Sequence, residues 1–140
     1  MRAVSDTTRL IRLGFAELER AQANLADLAL GDDALELIAQ AADPDQALEY
    51  IARIGASRPD LIAGPTDRLA RAAKLLGASA ALGDHLLRHP NDWSRFDIEA
   101  APRDPASVLL SAVAGLTGME ALVALRVAYR SVLIDIAIRD

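Results

Sequence analysis

The sequence predicts an all-α fold, and three observations carry that expectation. Apolar residues recur at three- and four-residue spacing along most of the chain. Alanine, the residue that loses least on entering a helix, supplies 29 of the 140 positions. Two Asp-Pro pairs, Asp43-Pro44 and Asp104-Pro105, match an N-cap followed by a first-turn proline, where the missing N–H costs nothing. No run reads as a β-strand, and no internal repeat or Gly/Ser linker divides the chain. The expected architecture is a compact array of about six to eight helices ending in a long C-terminal helix.

Leu18, Ala21, Leu25 and Leu28 form the first apolar stripe, and Gly31 is placed to end that helix. Asp32 and Asp33 are then expected to cap a short helix through Leu35, Ile38 and Ala42. Asp43-Pro44 opens a third, carried by Leu48, Ile51 and Ile54 and expected to break between Gly55 and Pro59. Leu61 and Ile62 suggest a brief turn. Thr66 or Asp67 would cap the next helix, with Leu69, Ala72, Ala73 and Leu76 inward and Arg68, Arg71 and Lys74 outward. Gly77 interrupts, Ser79 to His89 reads as another helix, and Pro90 stops it by disfavouring the α conformation at the residue before.

Residues 91–103 are the least regular stretch, anchored by Trp93, Phe96 and Ile98. A helix from Asp104-Pro105 is expected to run to Gly118 through Val108, Leu109, Ala112, Val113 and Leu116. The last helix starts near Met119. Leu122, Leu125, Tyr129, Val132, Leu133 and Ile136 make one stripe on it, while Val123, Val127, Ile134 and Ile138 make a second. A helix apolar on two sides is expected between two layers. The second layer would come from the chain's other helices, from further polypeptide or from a partner.

Composition bounds the function. The net charge is −5, with 14 Arg, one Lys and 20 acidic residues, and the basic side chains are spread along the chain. That balance argues against a nucleic-acid partner, which requires a basic face, and against electrostatic docking on a membrane. The absence of cysteine excludes disulfides and thiolate chemistry and suits a cytoplasmic location. Neither a secretory signal nor a membrane-spanning run is expected.

Candidate sites have simpler structural readings. His85 and His89 lie i, i+4 on one helix face, which can hold a metal, with Asp84, Asp92 and Asp97 as the nearest further ligands. They read more simply as helix-face residues, and Asp84 with Arg88 as a surface pair. Asp43-Pro44-Asp45 has the Asp-x-Asp form of a Mg²⁺ site, and Gly31-Asp32-Asp33 is also acidic; capping accounts for both. Gly77 and Gly83 form no phosphate-binding loop and suit close packing or a bend. Ser79 lacks the elbow of a hydrolase nucleophile. Trp93 could stack on a ligand but reads first as core. Arg126, Arg130 and Arg139 could meet phosphate or an acidic partner, or form a solvated strip paired with Glu120 and Asp135. No residue is assigned as catalytic, cofactor-binding or metal-ligating.

One set of motifs goes further. Leu76-Gly77-Ala78-Ser79, Ala81-Leu82-Gly83-Asp84-His85, Arg88-His89-Pro90 and Trp93 are followed by Ala124-Leu125-Arg126, Ala128-Tyr129-Arg130 and Ile136-Ala137-x-Arg139-Asp140. Arg12-Leu13-Gly14-Phe15 precedes them. Together they resemble the N-terminal region of the glutamine synthetase adenylyltransferase/adenylyl-removing family, while Val127, Ser131 and Val132 depart from its more polar pattern. The resemblance implies an enzyme with two nucleotidyltransferase domains, one removing AMP from a tyrosine of glutamine synthetase by phosphorolysis and one attaching AMP from ATP. It implies ATP and Mg²⁺ as cofactors of the full-length enzyme, with none in this chain. Glutamine synthetase and the PII signalling protein are the implied partners, and the remainder of the polypeptide would pack against the last helix. The family's Gly-rich turn and Ser-Asp-x-Asp carboxylates would lie beyond Asp140, so no catalytic residue carries over. Residues 1–140 are thus expected to be either a single helical domain or an N-terminal helical segment preceding a nucleotidyltransferase domain absent from this chain. The alternative function is a self-contained helical protein-interaction module without catalytic activity.

Overall fold

The computed structural model describes residues 2–97 and 100–139, with side chains from Asp6 onward. Among them the chain forms α1 (Arg2–Leu13), α2 (Leu18–Asp27), α3 (Asp32–Ala39), α4 (Pro44–Ser57), α5 (Pro59–Ile62), α6 (Thr66–Ala78), α7 (Ala80–Arg88), a 3₁₀ helix (Pro90–Phe96), α8 (Pro105–Val113) and α9 (Gly118–Arg139). The all-α expectation holds, and no strand occurs among the described residues. The helix count exceeds the expected range because α1, the single-turn α5 and the 3₁₀ helix join the array.

Local chemistry sets most boundaries. Asp43 accepts the Gln46 amide at 3.0 Å and caps α4; Ser79 accepts the Leu82 amide at 3.3 Å and caps α7; Asp104 accepts the Ser107 amide at 3.0 Å and caps α8. α1 ends in a Schellman turn. Gly14, at φ +98°, donates to the Ile11 carbonyl, and Phe15 donates to the Leu10 carbonyl. Phe15 and Leu10 are both buried, which supplies the apolar contact typical of that turn. Arg12-Leu13-Gly14-Phe15 is therefore a helix stop.

Several boundaries differ from the sequence reading. Gly31 does not end a helix: α2 stops at Asp27, and Gly31, at φ −75°, is the N-cap of α3 without a side-chain bond. Asp32 and Asp33 occupy the first turn of α3, where their charge meets the helix dipole, and are not its cap. The end of α4 at Ser57 does fall within the break expected between Gly55 and Pro59, because Pro59 disfavours the helical conformation at Arg58. Pro65 stands at the N-cap of α6, with Thr66 and Asp67 in its first turn. Gly77 lies inside α6, and the break comes at Ser79. α8 stops at Val113, five residues short of the expected Gly118.

The core gathers around α4, whose Ala47, Leu48, Ile51 and Ile54 are buried against α2, α3, α6 and α7. Leu69, Ala72, Ala73 and Leu76 of α6 face it as expected. Alanine at these sites lets helices approach closely. The bulk comes from Trp93 and Phe96 of the 3₁₀ helix, whose rings meet edge to face at 5.2 Å. Ile98, expected beside them, and Asp140 lie outside the described residues. α8 packs chiefly on α9, and α9 returns to touch α6, α7 and the 3₁₀ helix.

Candidate functional site

Three places invite a functional reading: the Gly83-Asp84-His85 joint, an arginine-lined seam beside α9, and the outer face of the α8–α9 hairpin.

At the joint, α7 crosses α4. The Tyr50 ring lies over Gly83 so closely that a Cβ there would stand 2.6 Å from the ring carbon Cζ. Gly77 makes the same kind of approach beside Asp43, where a Cβ would meet the carbonyl oxygen at 2.9 Å. The Tyr50 hydroxyl lies 2.9 Å from Asp84 Oδ1 and 3.0 Å from the Ala80 carbonyl. Burial, and then the hydrogen bond to Asp84, push the Tyr50 phenol above its ordinary range. Asp84 therefore serves Tyr50, and the expected surface pair with Arg88 is not what engages it.

The histidines have separate duties. His85 is 1% exposed, and its Nε2 sits 2.7 Å from Asp92 Oδ2. This bond ties α7 to the 3₁₀ helix that follows Pro90. His89 is the C-cap of α7, half-buried, with its ring 4.7 Å from that of His85. Burial, with the neighbouring His85, lowers the His89 pKa. No group of three or more His, Cys, Asp or Glu side chains is placed to hold a metal among the described residues. Trp93, weighed as a stacking platform, is 1% exposed and is core. Gly77, Gly83, Asp84, His85, His89 and Trp93 thus serve packing, tethering and helix-stopping.

The seam beside α9 was not foreseen. Arg68 and Arg71, expected to point outward, turn back over the irregular segment after the 3₁₀ helix. Arg68 pairs with Asp97 at 3.2 Å and donates to the Leu61 carbonyl, while Arg71 donates to the Phe96 carbonyl at 2.6 Å. Arg95 and Arg103 converge on Asp135 of α9, at 2.6 and 2.7 Å on its two carboxylate oxygens. Arg103 also donates to Ser131, and Arg95 to the Ala101 carbonyl. Burial alone would raise the Asp135 pKa; the hydrogen bonds from Arg103 and Arg95 outweigh it and hold the carboxyl below the usual range. The partners expected for Asp135, Arg126 and Arg130, are not the ones it takes. A pocket of about 240 Å³ lies here, lined by Arg71, Arg95, Asp97, Asp135 and Arg139. Arg95 is held by Asp135, Asp97 by Arg68 and Arg71 by the Phe96 carbonyl, so the pocket reads as the rear of a clasp that fastens α9 to the body.

The third place is a surface. The stripes of α9 divide along its length. Ala128, Val132 and Ile134 are buried, with Val127, Leu133 and Ile138 partly so. Leu122, Val123, Leu125, Tyr129 and Ile136 face outward, as do Leu110 of α8 and Met119, which is 72% exposed. α8 buries no residue fully. Where the hairpin meets the body, a groove of about 560 Å³ runs past His89 and Arg103 on one side and Val108, Ala112 and Val127 on the other. The chain thus supplies one layer against α9 and leaves the other side open.

No family model matches the chain, and no solved structure matches it significantly. Similar proteins include the bifunctional glutamine synthetase adenylyltransferase/adenylyl-removing enzyme of Streptomyces coelicolor, 39% identical over 153 aligned residues that take in 99% of this chain. The enzyme of the same name from Streptomyces avermitilis is 37% identical over 154, again across 99% of this chain. This chain resembles one segment of the glutamine synthetase adenylyltransferase/adenylyl-removing enzymes. It spans 15% of the length of those two relatives. The enzyme of that name from Cutibacterium acnes is 34% identical over 102 residues, 65% of this chain and 10% of its own length. Against this family the Gly83-Asp84-His85 and His89-Pro90 motifs gain a structural meaning: they fix the crossing of α4 and α7 and the start of the 3₁₀ helix. Among the described residues, no helix is long and apolar enough to cross a membrane.

Proposed function

We propose that this chain is a helical lead-in segment of a bifunctional glutamine synthetase adenylyltransferase/adenylyl-removing enzyme, and that its own role is structural or docking. One observation carries the reading: 99% of the chain aligns, at 39% identity, with 15% of an enzyme of that name. In such an enzyme AMP is moved from ATP to glutamine synthetase and later removed by phosphorolysis, with Mg²⁺ at the nucleotidyltransferase centres and the PII protein as regulator, in the cytoplasm. The helical array would brace a catalytic domain, and alone it would be silent.

The test has two parts. The purified chain, mixed with adenylylated glutamine synthetase, phosphate and Mg²⁺, should release no ADP. The genomic reading frame should continue past Asp140 into a Gly-rich turn with Ser-Asp-x-Asp. Turnover by the chain alone overturns the silent role; a frame that stops at Asp140 with no such segment nearby overturns the lead-in reading.

The exposed apolar face of α8–α9 favours a second reading, a self-contained interaction module. Light scattering separates them. A stable dimer broken by changes on that face supports the module; a monomer supports the lead-in.

A further inference from the structure

The outer face of the α8–α9 hairpin is unusual in composition as well as exposure. From Pro105 to Leu125 the only ionisable side chain is Glu120, in a chain that is 25% charged. Solvated helices carry charge, whereas this one presents Leu110, Met119, Leu122, Val123 and Leu125 to the exterior. Tyr129 and Ile136 extend the strip along the 22-residue α9, a length of roughly 33 Å at 1.5 Å per residue. The hairpin is nevertheless firmly placed, since the Arg95–Asp135–Arg103 clasp fixes the base of α9 to the body. A rigid, largely apolar strip suits an equally apolar helical layer. Its charges are few, Glu120 near the start of α9 and Arg126 and Arg130 beside Leu122 and Tyr129, and they do not gather into a basic or an acidic patch.

We infer that the outer strip of α8–α9 is the docking face for an apolar helical layer supplied by the rest of the enzyme polypeptide. This rests on the family reading proposed above: the chain spans 15% of the relatives' length, so most of such a polypeptide lies outside it and is held at high local concentration beside the strip. Docking would cover both sides of α9, the inner side by α6, α7 and the 3₁₀ helix and the outer side by the added layer.

The chain has no cysteine, so a single Leu122→Cys substitution gives a clean probe within it. Leu122 is 51% exposed, and the isolated variant should keep the parent melting temperature. Maleimide labelling of Cys at 122 is followed by peptide mapping in two settings: the isolated chain, and the Streptomyces coelicolor enzyme with its matching segment replaced by this chain. Labelling should be at least tenfold slower in the chimaera, and Leu125→Glu with Tyr129→Glu should restore the fast rate. Three outcomes overturn the inference. If an active chimaera labels as fast as the isolated chain, docking fails while the family reading stands. If the chimaera carrying the unsubstituted chain neither adenylylates nor deadenylylates glutamine synthetase, the family reading fails and docking with it. If the isolated chain is already slow, in step with a concentration-dependent dimer, the occupant is a second copy.

Discussion

Gly83 of α7 lies beneath the aromatic ring of Tyr50 in α4, so close that a side chain at residue 83 would overlap it: a Cβ would stand 2.6 and 2.7 Å from three ring carbons. The ring is not free to withdraw, because its hydroxyl is held by Asp84 and the Ala80 carbonyl. Alanine in a helix interior gains about 1 kcal/mol over glycine, but overpacking a fixed core contact costs about 1–3 kcal/mol. The clash should win. Gly83→Ala is expected to lower stability by about 1–2 kcal/mol in urea denaturation. In a Tyr50→Ala background, where the ring is gone, the penalty should disappear and leave the helix-propensity gain. A penalty of equal size in both backgrounds would place its origin elsewhere.

Asp135 predicts an acid-sensitive clasp. Its two oxygens bind Arg95 and Arg103, and its side chain is 8% exposed. Breaking a buried pair costs about 3–5 kcal/mol; the arginines here are partly hydrated, so Asp135→Asn should cost about 2–3 kcal/mol. The pH dependence follows from the lowered folded pKa. Between the folded value and the unfolded value of about 3.9, the unfolded chain binds more protons. The contribution is therefore whole above about pH 4–5 and is lost as pH falls through the folded value. The stability gap between parent and Asp135→Asn should be flat from about pH 7 to 5 and close below about pH 4. A gap indifferent to acid would mean that the carboxylate charge is not what fastens α9.

How far the sequence reaches is clear from particular residues. Asp43, Ser79 and Asp104 bond amides three residues ahead, and such local chemistry is legible in the chain. Gly31, Asp32 and Asp33 offer adjacent candidates for one cap, and spacing alone does not choose among them. Arg68 and Arg71 have helix positions that look solvated, yet their heads reach acceptors 29 and 25 residues onward. Long side chains with apolar stems fit either fate. Asp135 had Arg130 nearby on its helix but takes partners 40 and 32 residues earlier, which only the fold brings near. The two stripes of α9 were legible; how far along them this chain covers α9 was not, because periodicity is the same for a covered face and an open one. Glycine, aspartate and histidine serve packing and capping as readily as catalysis, and Gly83, Asp84 and His85 are used here in the first way.

His89 predicts a second, milder pH effect in a different window. Burial, with His85 and the nearby Arg88 and Arg130, lowers its pKa in the folded chain, and Asp92 opposes this only in part. Between that lowered value and the unfolded value of about 6.5, the unfolded state again binds more protons, so stability rises with pH across the window. It is complete above about pH 6.5 and declines on acidification below it. His89→Gln should flatten this part of the stability profile without altering the acid transition tied to Asp135. Urea titrations at half-unit pH intervals from about 7.5 to 5 measure it. An unchanged slope in His89→Gln would assign the titration to another group.

Trp93 gives the sharpest test of the thin core. It is the single tryptophan of the chain, 1% exposed, so its fluorescence reports the core without interference. Among the described residues its Nε1 has no acceptor, so the indole contributes volume and its edge contact with Phe96 while burying an unpaired donor. These terms separate in two substitutions, compared by circular dichroism. Trp93→Ala removes the volume and should cost about 3–5 kcal/mol, because an alanine-rich array has few large side chains able to collapse into the space. Trp93→Phe loses part of the volume but keeps a ring beside Phe96 and removes the unpaired N–H, so about 1–2 kcal/mol is expected. If the phenylalanine variant were as unstable as the alanine variant, indole volume alone would be holding the 3₁₀ helix in the core. If both were mild, α4 and α6 would close over the space unaided, and the aromatic pair would matter less than its burial implies.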